Sequence, residues 1–251
     1  MKLSTTAAVI TGGASGLGEA TARHFAGAGA TVTLLDRDAE RGNRVAKEIG
    51  GYFAETDVTD EASVQAAIAH AMDKMGRISA CVNCAGIASA CKTVGRDGPH
   101  PLDVFRRTVD VNLVGTFNVS RLAAVEMAKN DPEPDGARGV IVNTASVAAI
   151  DGQKGQVAYS ASKGGIVGMT LPMARDLAQS GIRVMAIAPG IFMTPMLETL
   201  SEEVRAQLAA DVPCPARLGD PSEYAALAGF ITECGYMNGE LIRLDGALRM
   251  R

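Results

Sequence analysis

A chain of 251 residues with 47% hydrophobic side chains, 28 glycines and no tryptophan must build its core from aliphatic residues. At that size folding removes roughly three quarters of the unfolded surface from water, so no disulfide or structural metal is required. Lys plus Arg at 24 against Asp plus Glu at 28 leave a net charge of −4 without a basic run, which disfavours a charged groove for nucleic acid.

In chain order the pattern predicts strands at Ala7–Thr11 and Thr31–Asp36, a weaker one at Tyr52–Thr56, then Ile78–Cys84, Gly139–Ala145, Ile182–Ala188 and Glu240–Leu244. Helical periodicity fills the intervals at Gly16–Ala28, Ala39–Ile49, Glu61–Met75, Pro101–Lys129, Ala158–Gln179 and Ser222–Thr232. Repeated βαβ crossovers require a parallel sheet, and strands that read as continuous apolar runs imply helices on both faces. The expected fold is α/β, a doubly wound, Rossmann-type parallel sheet of about seven strands flanked by helices, in a single domain over residues 1–251. Two segments break the rhythm: Ala88–His100, rich in glycine and charge, and Met193–Arg217, which carries Pro195, Pro213 and Pro215. The longest charge-free stretch, Leu3–Gly18, has 16 residues and four glycines, so no membrane-spanning helix is expected. Five cysteines at irregular spacing speak for free thiols in a reducing compartment, and the reading is a soluble, cytoplasmic protein.

Directly after the first predicted strand comes Thr11-Gly12-Gly13-Ala14-Ser15-Gly16-Leu17-Gly18, with a helix starting inside it. Such a loop brings backbone close to a pyrophosphate, whose charge rests on the helix N-terminus, although ligand-free tight turns use the same residue. The second strand ends in Asp36, where a carboxylate can hold an adenosine ribose and repel a 2′-phosphate. The plain alternative is a solvated loop carboxylate. NAD is thereby favoured over NADP, with the neighbouring Arg37 as the one opposing charge.

Tyr159 and Lys163 lie four apart in a predicted helix, so their side chains share one face. A phenol titrating near pH 10 is a poor base at neutrality, and positive charge from Lys163 and an oxidised nicotinamide would correct that. Ser146 ends the preceding strand at the carboxyl edge of the sheet, where ligands of such folds bind. Taken alone it is an ordinary strand-end hydroxyl. Its company with Tyr159 makes it a candidate for holding a substrate oxygen.

Thr11-Gly12-x3-Gly16-x-Gly18, Asn83-Cys84-Ala85-Gly86, Asn112, Ser146, Tyr159-x3-Lys163 and Pro189-Gly190 together resemble the short-chain dehydrogenase/reductase family across nearly the whole chain. The resemblance implies that Tyr159 exchanges the proton, that Lys163 binds ribose and lowers the tyrosine's pKa, that Ser146 positions the substrate and that Asn112 supports a water relay. It also implies an NAD site formed by Gly12, Ser15, Gly16, Leu17, Gly18, Asp36, Tyr159 and Lys163. Asp57 and Val58 would lie at the adenine, Asn83 to Gly86 along the cofactor, and Pro189, Phe192 and Thr194 near the nicotinamide. Cys84 stands where many members have Asn.

Within the family, Asn143–Ala149, Tyr159–Pro172, Arg217–Pro221 and Ile242–Ala247 resemble the branch that oxidises 3-hydroxyacyl-CoA to 3-oxoacyl-CoA. Pro172 inside a predicted helix is a shared detail that costs about 3 kcal/mol unless accommodated. The loop Ala88–His100 is shorter and less basic than that branch implies. Another secondary alcohol on the same machinery (a steroid, a free 3-hydroxy acid or a polyol) is the alternative substrate, and a non-catalytic scaffold subunit is the alternative of another class. Family habit points to a homotetramer through the long helices containing Val104–Met127 and Ala158–Ala178.

Bland readings stand beside the sharper ones elsewhere. Cys81-x-x-Cys84 would send its thiols to opposite faces of a strand, which suits buried thiols rather than a redox or metal pair. His24, His70 and His100 are too scattered for a metal site. The apolar set Ile191, Phe192, Met193, Met196, Leu197, Leu200 and Leu208, interrupted by Pro195, is either core or a flexible substrate lid around 193–217, and the lid is preferred. Gln156, with Gln153, is a candidate for the substrate pocket, and Lys154 and Arg96 for CoA phosphates.

Overall fold

The computed structural model describes residues 1–96, 98–198 and 201–250, omitting the side chains of Met196 and Glu198. Its main sheet contains β1 (Ala7–Thr11), β2 (Thr31–Asp36), β3 (Tyr52–Glu55), β4 (Ala80–Asn83), β7 (Gly139–Thr144), β8 (Ile182–Pro189) and β9 (Leu241–Leu244). The order is β3-β2-β1-β4-β7-β8-β9 and every pairing is parallel. The expected seven-stranded doubly wound sheet is therefore present. A two-residue antiparallel hairpin, β5 (Val94–Gly95) with β6 (Gly98–Pro99), sits in the segment read as irregular. It is too short to carry a periodic signal.

Alternation along the strands feeds two cores. Ala8, Ile10, Val140, Val142, Met185 and Ile187 pack with α1 (Gly16–Gly27), α2 (Ala39–Ile49) and α9 (Pro221–Glu233) on one face. Val9, Cys81, Ile141, Ile182 and Val184 pack with α3 (Glu61–Met75), α5 (Gly115–Met127) and α6 (Val157–Asp176) on the other. Cys81 and Cys84 do diverge as the period of two requires, since Cys84 packs on the first core and Cys81 lies in the second. Burial pushes the Cys81 thiol up to about 12.

The predicted helix Pro101–Lys129 is three pieces: α4 (Leu102–Val109), a π-helical turn at Asp110–Val114 and α5. Periodicity cannot reveal one inserted residue in a continuous helix, yet such turns often mark functional positions. α6 runs through Pro172, with Gly168 four residues back. The segment after β8 is more ordered than its prolines suggested. Pro195 starts α7 (Pro195–Glu198) instead of interrupting it, and Ser201 caps α8 (Glu202–Ala210). Among the described residues no helix is long and apolar enough to cross a membrane.

Candidate active site

The sheet order reverses between β1 and β4, and a ligand cleft is expected beyond the carboxyl ends of those strands. There the structure has a cleft of ≈ 790 Å³. Its floor is made by close backbone approach. Gly12 adopts φ +65°, and a Cβ at Gly18 would overlap the Gly12 carbonyl oxygen. The Thr11 hydroxyl accepts from the amides of Cys84 (3.1 Å) and Ala85 (3.0 Å), stitching the end of β4 to the end of β1.

Gly12, Ser15, Gly16, Leu17 and Gly18 line one end of the cleft with Asp36, Asp57 and Val58. Asp36 accepts from the Ala14 amide and from the Asp38 amide, each at 3.0 Å. A carboxylate offers about four acceptor positions, so two bonds leave capacity for a ligand hydroxyl. Arg37, the opposing charge, reaches toward Asp57 at 3.7 Å. Asp57 is held below the usual carboxylate range first by the Thr59 hydroxyl, then by the Thr59 amide.

Cys84, Ala85 and Gly86 continue the wall toward Ser146, Gln156, Tyr159 and Lys163, and Pro189, Phe192 and Thr194 close the far side. The Lys163 ammonium lies 5.8 Å from the Tyr159 ring centroid and donates to the Thr144 carbonyl at 2.7 Å. Ser146 accepts from the Ala148 amide at 3.1 Å, which orients its hydroxyl at the turn after β7. Gln156 accepts from the Gln153 amide at 2.9 Å; Gln153 is not on the cleft wall, and Lys154 and Arg96 are exposed away from it.

The sequence assigns the lowering of the Tyr159 phenol to Lys163 and an oxidised nicotinamide together. Burial pushes the Tyr159 phenol above its ordinary value, and the Ser146 hydroxyl only partly opposes this. Lys163 is itself brought down to about 8 by burial, with the Cys84 thiol opposing. Desolvation dominates at both groups because each sits beneath the protein surface.

Two further candidates, Asn83 and Asn112, lie off the cleft wall. Asn83 turns into the sheet, donating to Ser120 and Asn143 at 2.9 Å each. Asn112, in the π-helical turn, clamps the chain after β4: its amide oxygen accepts from Ile87 N (2.8 Å) and its nitrogen donates to Ile87 O (2.9 Å). The same nitrogen donates to the Ser162 hydroxyl at 3.0 Å, so Asn112 braces α6 one residue before Lys163.

Sequence reading missed Thr144 and Tyr224. The Thr144 carbonyl takes Lys163, while its hydroxyl lies 2.7 Å from that of Tyr224 and 3.6 Å from the Cys84 sulfur. Tyr224 is fully buried under the cleft from 80 residues away, a contact no local pattern encodes. Arg107 and Met250, also on the wall, carried no signal either. Of the apolar lid set, Phe192 is buried and Leu197 lines the cleft; Leu200 and the Met196 side chain lie outside the described residues.

Comparison with known proteins fits this geometry. A family model described as short chain dehydrogenase matches residues 6–205. The chain is 59% identical over 248 residues to 3-hydroxyacyl-CoA dehydrogenase type-2 of Bos taurus, covering 97% of this chain and 95% of that one. The protein of the same name from Homo sapiens is 59% identical over the same shares. A crystal structure of 3-hydroxyacyl-CoA dehydrogenase type-2 from Mycobacterium avium superimposes with a TM-score of 0.95 at 46% identity, covering 98% of this chain and 96% of that chain. A glycine-floored cleft at the β1/β4 switch point, a Ser-Tyr-Lys cluster at its other end and these similarities lead to one conclusion: the chain belongs to the short chain dehydrogenase family.

Proposed function

We propose that this protein is an NAD-dependent dehydrogenase oxidising 3-hydroxyacyl-CoA to 3-oxoacyl-CoA. The reading is carried by the Lys163 ammonium 5.8 Å from the Tyr159 ring, at the end of the cleft opposite Asp36. The substrate class follows the relatives named 3-hydroxyacyl-CoA dehydrogenase type-2. The residues present fit NAD: the glycine floor leaves room for a pyrophosphate at the start of α1, and Asp36 keeps acceptor positions for a ribose.

When bound, NAD supplies a hydride acceptor and a positive ring charge. Gly12, Ser15, Gly16, Leu17 and Gly18 would hold its phosphates, Asp57 and Val58 its adenine, Cys84 to Gly86 its central part, and Pro189, Phe192 and Thr194 its nicotinamide end. Asn83 and Asn112 support that wall from behind. Tyr159 takes the hydroxyl proton as the carbinol carbon becomes a carbonyl, Ser146 holds the same oxygen, and Gln156 borders it. Lys163 stabilises the phenolate and needs no proton transfer of its own. The segment 193–217 would serve as the lid of a single catalytic domain. The unit in solution would be a cytoplasmic homotetramer, supported by apolar residues exposed on α5 and α6: Phe117, Val125, Val157 and Leu171. A sedimentation mass near one subunit would overturn that assembly.

The decisive assay adds 3-hydroxybutyryl-CoA and NAD and follows NADH absorbance. A rise in the wild type and a loss of about 10²- to 10⁴-fold in Tyr159→Phe are expected. Equal rates in the two proteins would remove Tyr159 from the chemistry.

A further inference from the structure

The turn after β9 touches three walls of the cleft at once. Asp245 packs under Gly190, whose amide donates to the Leu244 carbonyl at 2.9 Å, so the turn abuts the Pro189-Gly190 segment. Gly246 lies against Val212, and its carbonyl accepts from the Cys214 amide at 3.2 Å, so the turn also holds the returning end of the 193–217 segment. The third tie is Arg243. Its Nη2 donates to Asp151 at 2.6 Å and to the Leu248 carbonyl at 3.0 Å, and its Nε donates to Asp245 at 2.7 Å.

Asp151 belongs to the turn that begins at Ser146, because its amide donates to the Val147 carbonyl at 2.8 Å. One guanidinium thus couples the Ser146 turn to the last residues of the chain. All three side chains are sheltered, with Asp245 at 8%, Asp151 at 15% and Arg243 at 21% exposure. Among the described residues Ala247 is the one non-glycine with positive φ, at +67°, a conformation that L side chains rarely adopt without surrounding constraint. Two residues beyond Leu248, Met250 forms part of the cleft wall. Through Arg243, Leu248, two residues before Met250, is tied to Asp151 of the Ser146 turn.

We propose that Met250 is a specificity-determining residue contacting the substrate beyond its reacting carbon, and that Arg243, through Asp151 and Leu248, is the positioning residue that fixes it there. A thioether on three rotatable bonds suits an apolar chain of variable length. Its neighbour Leu248 is tied through Arg243 and Asp151 to the Ser146 turn, so a change at Met250 is expected to act on the substrate and not on the dinucleotide. The proposal rests on the dehydrogenase reading given above.

The test measures kcat/KM for 3-hydroxyacyl-CoA substrates of increasing chain length, with free secondary alcohols alongside, in wild type, Met250→Ala and Arg243→Gln. In Met250→Ala the ratio of long-chain to short-chain kcat/KM is expected to move roughly tenfold, the effect of a methylene-scale change in an apolar pocket, with KM for NAD within about twofold. Arg243→Gln is expected to move the same ratio in the same direction, which a general loss of stability would not do. An unchanged ratio in Met250→Ala overturns the specificity role. A ratio that moves in Met250→Ala but not in Arg243→Gln overturns the positioning role. Should the wild type oxidise only free alcohols, the thioester assignment fails by itself, and the ratio is read among those alcohols. A wild type inert toward every alcohol overturns the dehydrogenase reading and this proposal with it.

Discussion

The floor of the cleft and the helix α8 after β8 are built in opposite ways. The floor is made where β1, β4 and β7 end, and its working side chains are sheltered, Ser146 at 7% and Lys163 at 4% exposure. Each is tied to backbone, Ser146 to the Ala148 amide and Lys163 to the Thr144 carbonyl. The segment after β8 contains α8, which has no buried residue and exposes Val204. The segment is attached at its root, where the Met193 amide donates to the Gly219 carbonyl at 2.8 Å and the Gly219 amide donates to the Ile191 carbonyl at 2.9 Å, either side of the Phe192 bridge. Side chains tied to backbone in a packed frame hold their positions, whereas a helix with few buried contacts opens locally at low cost.

The strongest way to break this contrast is Gly18→Val. The added side chain meets the Gly12 carbonyl, which is backbone and cannot swing aside, so a loss of about 3 kcal/mol or more and the disappearance of NADH binding are expected. Denaturant melts and NADH fluorescence titration measure both, and wild-type binding would mean that the floor is not close-packed.

Lys163 gives the next largest effect and its sign can be worked out. Its pKa is about 8 in the fold against 10.5 in the open chain, so between those values the unfolded state holds one more proton. Stability therefore rises with pH across that window, while below about 8 the cost of the buried ammonium is fully present. Relative to Lys163→Met, the wild type should gain about 3 kcal/mol between pH 8 and 10.5. A stability difference that stays flat across that range, measured by urea unfolding, contradicts a buried ammonium.

A smaller change sharpens the comparison within the floor. Asp36→Ala should raise KM for NAD about tenfold, the loss of one charge-assisted bond, and narrow the preference over NADP. Initial rates with the two dinucleotides decide it, and an unchanged preference would leave Asp36 a solvated carboxylate. Smallest of all is Val204→Ser on α8, expected to shift stability by less than about 0.5 kcal/mol in a thermal melt. A loss of several kcal/mol there would show α8 to be packed after all.

Legibility follows the same division. The order of strands and helices could be read because apolar runs and helical periods are local, and β1, β2, α2 and α3 fall on their predicted bounds. The π-helical turn at Asp110–Val114 and the hairpin at Val94–Pro99 could not, since each departs from its surroundings by too few residues to leave a period. In the cleft, Tyr159 and Lys163 were legible from a spacing of four along one helix, and Asp36 from its place at a strand end. The effect of burial on their acidities was not, because it acts through every neighbour, raising the Tyr159 phenol and lowering Lys163.

By itself the amino-acid sequence determined the parallel sheet, the glycine floor and the pairing of Tyr159 with Lys163, all of which depend on residues close together along the chain. Only the tertiary structure decided that Asn83 and Asn112 face inward, that Tyr224 lies beneath Thr144 and that Arg243 meets Asp151 across 92 positions. Such contacts depend on how helices and strands close around the sheet, and no interval in the sequence encodes that closure.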